Sequence, residues 1–231
     1  MDYLAGELLL IDKPVGWTSF DVCAKLRGAL RHALGVKKVK IGHSGTLDPL
    51  ATGLLLLATG KKTKALHELQ GLDKGYDGTI KLGATTASYD AELPEENVCT
   101  IEHITLDHAR EQAKHLTGAI AQVPPIYSAI KRDGVPAYKV ARAKGEIKME
   151  PRPVVIREFT LGDLTDGELQ FSSLVSKGTY IRSLAHDLGQ LLGCGAYLSS
   201  LRRTSIGDFH IDDAYTMDEM LAIIRNPETN K

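Results

Sequence analysis

The stretch Gly42-His43-Ser44-Gly45-Thr46-Leu47-Asp48-Pro49-Leu50-Ala51-Thr52-Gly53 sets one carboxylate, Asp48, between a leucine and a proline in a glycine-rich segment. The apolar run Leu54-Leu55-Leu56-Leu57 follows at once. Proline lacks an N–H and pushes the residue before it toward extended geometry, so Asp48 is expected outside any helix. Gly42, Gly45 and Gly53 permit tight turns and close approach of a second backbone. The expectation is a carboxylate held in one pose at the margin of a core. An Asp-Pro pair by itself is equally a plain turn signal, so the flanking sequence decides.

Upstream, residues 6–13 read as a strand. Thr18 or Ser19 then caps a helix that carries Val22, Leu26, Leu30 and Ala33 on one face, with Asp21 at its positive end and Gly35 at its stop. Downstream, Leu54 to Ala58 reads as a buried strand ending at Gly60, and Lys61-Lys62-Thr63-Lys64 leads into a short helix. Residues 75–83 alternate, with Tyr76, Gly78, Ile80 and Leu82 on one face. Thr105 caps a helix with Leu106, Ala109, Ala113 and Leu116, stopped by Gly118. Residues 154–161 and 169–175 read as strands, and Ile181, Leu184, Ala185, Leu188 and Leu192 form one helix face. Pro124-Pro125 makes residues 122–129 irregular. Few units look like regular βαβ, so the expected class is α+β with a mixed, mostly antiparallel central sheet flanked by helices and loops.

The chain has 231 residues, 43% hydrophobic and 25% charged, an ordinary globular profile sufficient for one large or two small domains. Its apolar runs are too short to span a membrane and its N-terminal residues show no basic leader, so a soluble, cytoplasmic protein with no membrane partner is expected. Cys23, Cys99 and Cys194 form no CxxC, and His103, His108 and His115 lack a completing ligand spacing; neither a disulfide framework nor a metal site is expected. Net charge is −1, yet it is segregated: residues 1–70 hold ten basic and six acidic side chains, residues 71–130 four and nine. Lys37-Lys38-Lys40, Lys61-Lys62-Lys64 and Arg202-Arg203 are therefore expected to meet the phosphates of a nucleic acid. The alternative for such runs is a solvated loop.

Five segments, in order, resemble the TruB family of tRNA pseudouridine synthases. They are Ile11-Asp12-Lys13-Pro14-Val15-Gly16-Trp17-Thr18-Ser19; residues 42–53 through Gly60 to Lys64; Lys74-Gly75-Tyr76 with Thr86, Ser88 and Asp90 behind it; Gln122-Val123-Pro124-Pro125-Ile126-Tyr127-Ser128-Ala129 with Tyr138 and Arg142; and Ser176-Lys177-Gly178-Thr179-Tyr180-Ile181-Arg182-Ser183 through Leu201-Arg202-Arg203. Together they reach from residue 11 to about residue 207. The segment Ala141-Arg142-Ala143-Lys144-Gly145 is one residue longer than the family's usual pattern. The resemblance implies a catalytic domain over residues 1–210 and a short tail over 211–231, without the RNA-binding PUA domain that many members carry.

The implied reaction isomerises uridine 55 in the T-loop of tRNA to pseudouridine, with no metal or organic cofactor and with the enzyme as a monomer. Asp48 is then the catalytic carboxylate, a residue type suited to covalent or ion-pair catalysis. Arg182 matches the arginine that pairs with it. In the first turn of a helix a cation is slightly disfavoured, which fits a functional placement. Tyr76 matches the tyrosine that stacks on the extruded base, although a strand-leading tyrosine is otherwise an ordinary core residue. Tyr180 and Leu201 match positions lining the uracil pocket. Lys13 matches a lysine beside it that either supports the pocket electrostatically or touches phosphate. His43, otherwise a plain loop histidine, matches the residue that enters the RNA fold. The alternative function is a non-catalytic tRNA-binding or RNA-folding module; a guide-RNA-directed relative of the same superfamily is a second one.

Overall fold

A computed structural model describes residues 1–132, 134–143, 145 and 147–226, with backbone alone at 131–132. Lys144, within the longer 141–145 segment, lies outside them. The chain runs through β1 (Leu8–Lys13), α1 (Ser19–Ala33), β2 (Ile41–Ser44), β3 (Thr52–Thr59), a 3-10 turn and α2 (Leu66–Gln70), then β4 (Lys74–Leu82). It continues through β5 (Thr85–Thr86), β6 (Glu95–Glu96), α3 (Leu106–Lys114), β7 (Gly118–Gln122), β8 (Lys131–Arg132), β9 (Val135–Pro136) and α4 (Ala137–Arg142). The last part holds β10 (Arg152–Thr165), β11 (Glu168–Val175), α5 (Ile181–Leu192), β12 (Ala196–Ile206), β13 (Phe209–His210), β14 (Tyr215–Thr216) and α6 (Met217–Arg225). Two compact units result: residues 1–76 with 201–231, and residues 77–200.

In the first unit the strand order is β14-β1-β3-β12. β1 pairs antiparallel with β3 over six residues, from Leu8 opposite Ala58 to Lys13 opposite Gly53. The other edge of β3 is divided: β2 takes Leu56 to Thr59, and β12 runs parallel beside Thr52 and Gly53. The segment carrying Asp48 leaves β2 and re-enters β3 at that division. β3 is apolar on both faces because both are covered. Leu55 and Leu57 pack with Ile11, Val22, Leu26 and Leu30 and with Met220, Leu221 and Ile224 of α6. Leu54 and Leu56 face Ile206, Leu69, Leu72 and Phe209. α1 starts in a complete capping box: Thr18 Oγ1 accepts from Asp21 N–H at 3.1 Å, and Thr18 N–H donates to Asp21 Oδ2 at 2.9 Å.

In the second unit β4, β11, β10 and β7 lie side by side, β10 pairing antiparallel with both β11 and β7. α3 packs on β10 and on α5. Phe159 and Phe171 meet edge to face at 5.9 Å inside this core. The α+β class and the mostly antiparallel pairing agree with expectation; β1–β14 and β3–β12 are parallel. The glycine-rich segment contains a strand, β2, where only a loop was expected. Gly118 opens β7 instead of ending α3, which stops at Lys114. Residues 211–226 hold β14 and α6, whose capping box (Thr216 and Glu219) is a legible sequence signal. Among the described residues no helix is long and apolar enough to cross a membrane.

Candidate active site

Asp48 lies outside any helix or strand, and the chain is tied down on both sides of it. The buried Ser19 hydroxyl accepts the Leu47 N–H at 2.8 Å and also lies 3.3 Å from the Leu47 carbonyl. Gly16 N–H donates to the Pro49 carbonyl at 2.8 Å, and Ala51 N–H to the Asp48 carbonyl at 3.1 Å. The first motif therefore acts as a template for the second: its turn after β1 and the start of α1 fasten the backbone that carries the carboxylate. Such fastening by rigid elements is what a reacting group needs to stay in productive geometry.

Lys13 ends β1 and is fully buried. Its Nζ donates to the Pro14 and Trp17 carbonyls at 2.9 and 2.6 Å. Burial lowers its pKa to about 8; the Asp48 carboxylate opposes that shift and the Arg203 guanidinium adds to it. The ammonium thus braces the turn that fastens Asp48 and senses its charge. That burial favours the electrostatic support expected of Lys13 over a phosphate contact.

Arg203, on β12, is buried as well. Its Nε donates to the Leu54 carbonyl at 2.7 Å and its Nη2 to the Gly45 carbonyl at 3.1 Å, joining β3 to the glycine segment. Arg202 forms a fork with Asp12 at 2.7 and 3.1 Å. The expectation that Arg203 meets phosphate is therefore corrected, since its guanidinium is inside the fold; Arg202 is paired with a carboxylate and stays partly exposed. Both serve the β1–β3–β12 junction. Lys37, Lys38 and Lys40 do stand exposed.

His43 lies in β2, opposite Leu57, not in a loop. Burial and the Arg203 guanidinium lower its pKa, with the Gly45 backbone partly opposing, so the ring is held neutral. Tyr76 is buried in β4 and Leu201 is half-buried beside Thr52, whose hydroxyl lies 3.4 Å from the Leu201 carbonyl. Asp48, Lys13, His43, Tyr76 and Leu201 all belong to the first unit.

Arg182 and Tyr180 belong to the second. The Gln122 side chain grips the Tyr180 backbone twice, accepting its N–H at 2.8 Å and donating to its carbonyl at 3.1 Å. Ser183 Oγ donates to the Val123 carbonyl at 2.7 Å. These contacts fix the start of α5. Arg182 is only 5% exposed. Its guanidinium donates to the Ser88 carbonyl at 3.1 Å and the Tyr127 carbonyl at 2.9 Å, and lies 3.3 Å from Asp90 Oδ2. Asp90, itself buried, also accepts from Ser88 Oγ at 2.6 Å and Glu92 N–H at 3.0 Å. A buried ion pair is tolerable only when both partners are saturated in this way. Residues 88–90, 122–127 and 180–183, scattered in sequence, thus converge on one guanidinium. Asp90 carries no local signal of this role in the sequence, since an isolated Ser-Tyr-Asp is an ordinary turn composition.

The family model described as "TruB family pseudouridylate synthase (N terminal domain)" matches residues 31–181, and that described as "tRNA pseudouridylate synthase B C-terminal domain" matches residues 182–230. The tRNA pseudouridine synthase B of Flavobacterium johnsoniae is 50% identical over 92% of this chain and 93% of its own length. That of Parabacteroides distasonis is 44% identical over 95% and 94%. Among solved structures, a chain from a Cbf5-Nop10-Gar1 complex superposes with a TM-score of 0.75 at 28% identity, over 99% of this chain and 57% of that one. One from an H/ACA RNP bound to a substrate RNA containing 2′-deoxyuridine gives 0.71 at 25% identity, over 99% and 56%. This chain spans just over half the length of those two. The fold is of the pseudouridine synthase class, whose members are isomerases. The chain belongs to the TruB family of pseudouridylate synthases.

Proposed function

We propose that this enzyme converts uridine to pseudouridine in tRNA, at position 55 of the T-loop, as a monomer in the cytoplasm. The tRNA pseudouridine synthase B relatives support the substrate. The observation that carries the chemistry is Asp48: a carboxylate on a loop fastened at Leu47 and Pro49, with the buried Lys13 ammonium close enough to sense its charge. In the reaction the N1–C1′ bond breaks, the uracil turns, C5 bonds to C1′, C5 gives up its proton and N1 takes one up, so that the product is an isomer of the substrate and no electron is gained or lost. Asp48 is the anion at the reaction centre. Arg182 supplies the guanidinium, Tyr76 the ring that stacks on the extruded base, His43 the group that occupies the vacated RNA fold, and Tyr180 and Leu201 the walls of the base site. Extrusion costs a few kcal/mol, and stacking returns about 1–3 kcal/mol per base.

The test is product formation by Asp48→Asn and wild type on a T-stem-loop transcript at saturating enzyme, with binding measured alongside. Loss of conversion with binding retained is expected. Conversion at the wild-type rate would remove Asp48 from the chemistry; binding without turnover by the wild type itself would favour an RNA-folding module.

A further inference from the structure

Between Ser88 and Asp90, both of which hold Arg182, stands Tyr89. Its backbone has φ +63°, a left-handed conformation that a bulky side chain rarely adopts. The turn around it is dense in bonds. Thr86 Oγ1 donates to the Asp90 carbonyl at 2.7 Å, Tyr89 N–H to the Thr86 carbonyl at 3.1 Å, and Leu198 N–H to the Tyr89 carbonyl at 3.0 Å. This conformation turns the Ser88 carbonyl and the Asp90 carboxylate toward the same guanidinium. The Tyr89 ring lies flat on His186, with centroids 3.8 Å apart and planes 8° from parallel.

His186 is four residues after Arg182 in α5, on the same face of the helix. The turn therefore meets α5 at two successive levels, by ion pair and hydrogen bond at Arg182 and by ring stack at His186. The His186 Nδ1 is buried with no hydrogen-bond partner among the described residues, so stacking is what the structure shows holding this ring. Burial disfavours the charged forms of both rings.

We infer that Tyr89 and His186 are positioning residues for Arg182: their stack locks the strained turn against α5 and so fixes the direction in which the guanidinium points. The inference rests on the proposed role of Arg182 in the isomerisation. It assigns no contact with RNA to either ring.

The test compares single-turnover conversion of the T-stem-loop transcript, RNA affinity, and the NMR signal of the Arg182 Nε–H. Tyr89→Ala and His186→Ala should each slow conversion about tenfold, within the range a small misplacement of a reacting group can cost. RNA affinity should change less than twofold, and the Nε–H signal should broaden through solvent exchange. The double variant should be no slower than either single one, since both remove one interaction. Tyr89→Phe and His186→Phe, which keep two stacked rings, should restore rate and signal. Tyr89→Gly, whose backbone accepts positive φ without strain, keeps the fold and should stay slow. Wild-type rates and an unchanged Arg182 signal in Tyr89→Gly and His186→Ala would overturn the inference. So would failure of Tyr89→Phe to restore the rate. Arg182→Lys, run in parallel, separates the two levels: if it converts RNA at the wild-type rate, the role of Arg182 itself is wrong, whatever the rings do.

Discussion

The Ser19 hydroxyl takes the Leu47 N–H at 2.8 Å, so the first turn of α1 holds the residue immediately before Asp48. The two are 28 positions apart in sequence, and both are buried. The segment carrying Asp48 is thereby attached to the α1 cap instead of floating on its glycines.

Ser19→Ala leaves that N–H buried and unbonded, at a cost of about 1–3 kcal/mol. Urea unfolding should show this loss. Conversion of bound RNA should fall by about ten- to a hundredfold, as expected when a reacting group loses its pose. A stability loss with full activity would mean that the Asp48 pose does not depend on this bond.

Gly53 has φ +99°, and a Cβ there would stand 2.3 Å from the Arg203 carbonyl oxygen. Gly53→Ala therefore combines a left-handed penalty of about 1–2 kcal/mol with overpacking of about 1–3 kcal/mol. Gly35, also at positive φ (+64°), has open space around it, so Gly35→Ala should show the first cost alone. Thermal unfolding of the two variants checks the difference; equal losses would show that β12 can move away from β3.

Lys13 titrates near 10.5 in an open chain and at about 8 when buried here. Between those values the unfolded chain binds more protons, so this site's contribution to stability rises with pH. Relative to Lys13→Met, the wild type should therefore gain stability from pH 8 to pH 10 in denaturation curves. Because the Asp48 carboxylate opposes the downward shift, Lys13 should titrate below about 8 in Asp48→Asn, read by NMR of the lysine side chain. An unshifted lysine would show that the two charges do not interact.

Lys37, Lys38 and Lys40 are exposed, whereas Arg203 is buried. Changing the three lysines to Gln should flatten the salt dependence of RNA binding by roughly 0.7–0.9 log units for each phosphate they would have neutralised. Arg203→Lys should leave that slope unchanged and lower the unfolding midpoint, because a lysine cannot bond Leu54 and Gly45 together. A slope unaffected by the lysine changes would move the RNA path elsewhere.

Local patterning was enough for the helix after Thr18, the buried run of β3, the strands β10 and β11 and the placing of Asp48 outside any helix. Each rests on side-chain period, capping or the stereochemistry of proline, which act between near neighbours. β12 was illegible because Ala196 to Ile206 carries serines and two arginines with no alternation. Its pairing with β3 joins it to a distant part of the sheet, and β3 and Asp12 receive its two guanidinium groups. The same cause made Arg203 look like a phosphate ligand. Periodicity reports where an apolar side chain goes, but a buried charge goes wherever distant carbonyls and carboxylates converge. Which motif carries Asp48 was thus settled by residues 42–53 alone; what fastens Asp48 and what saturates Arg182 were decided only by the fold.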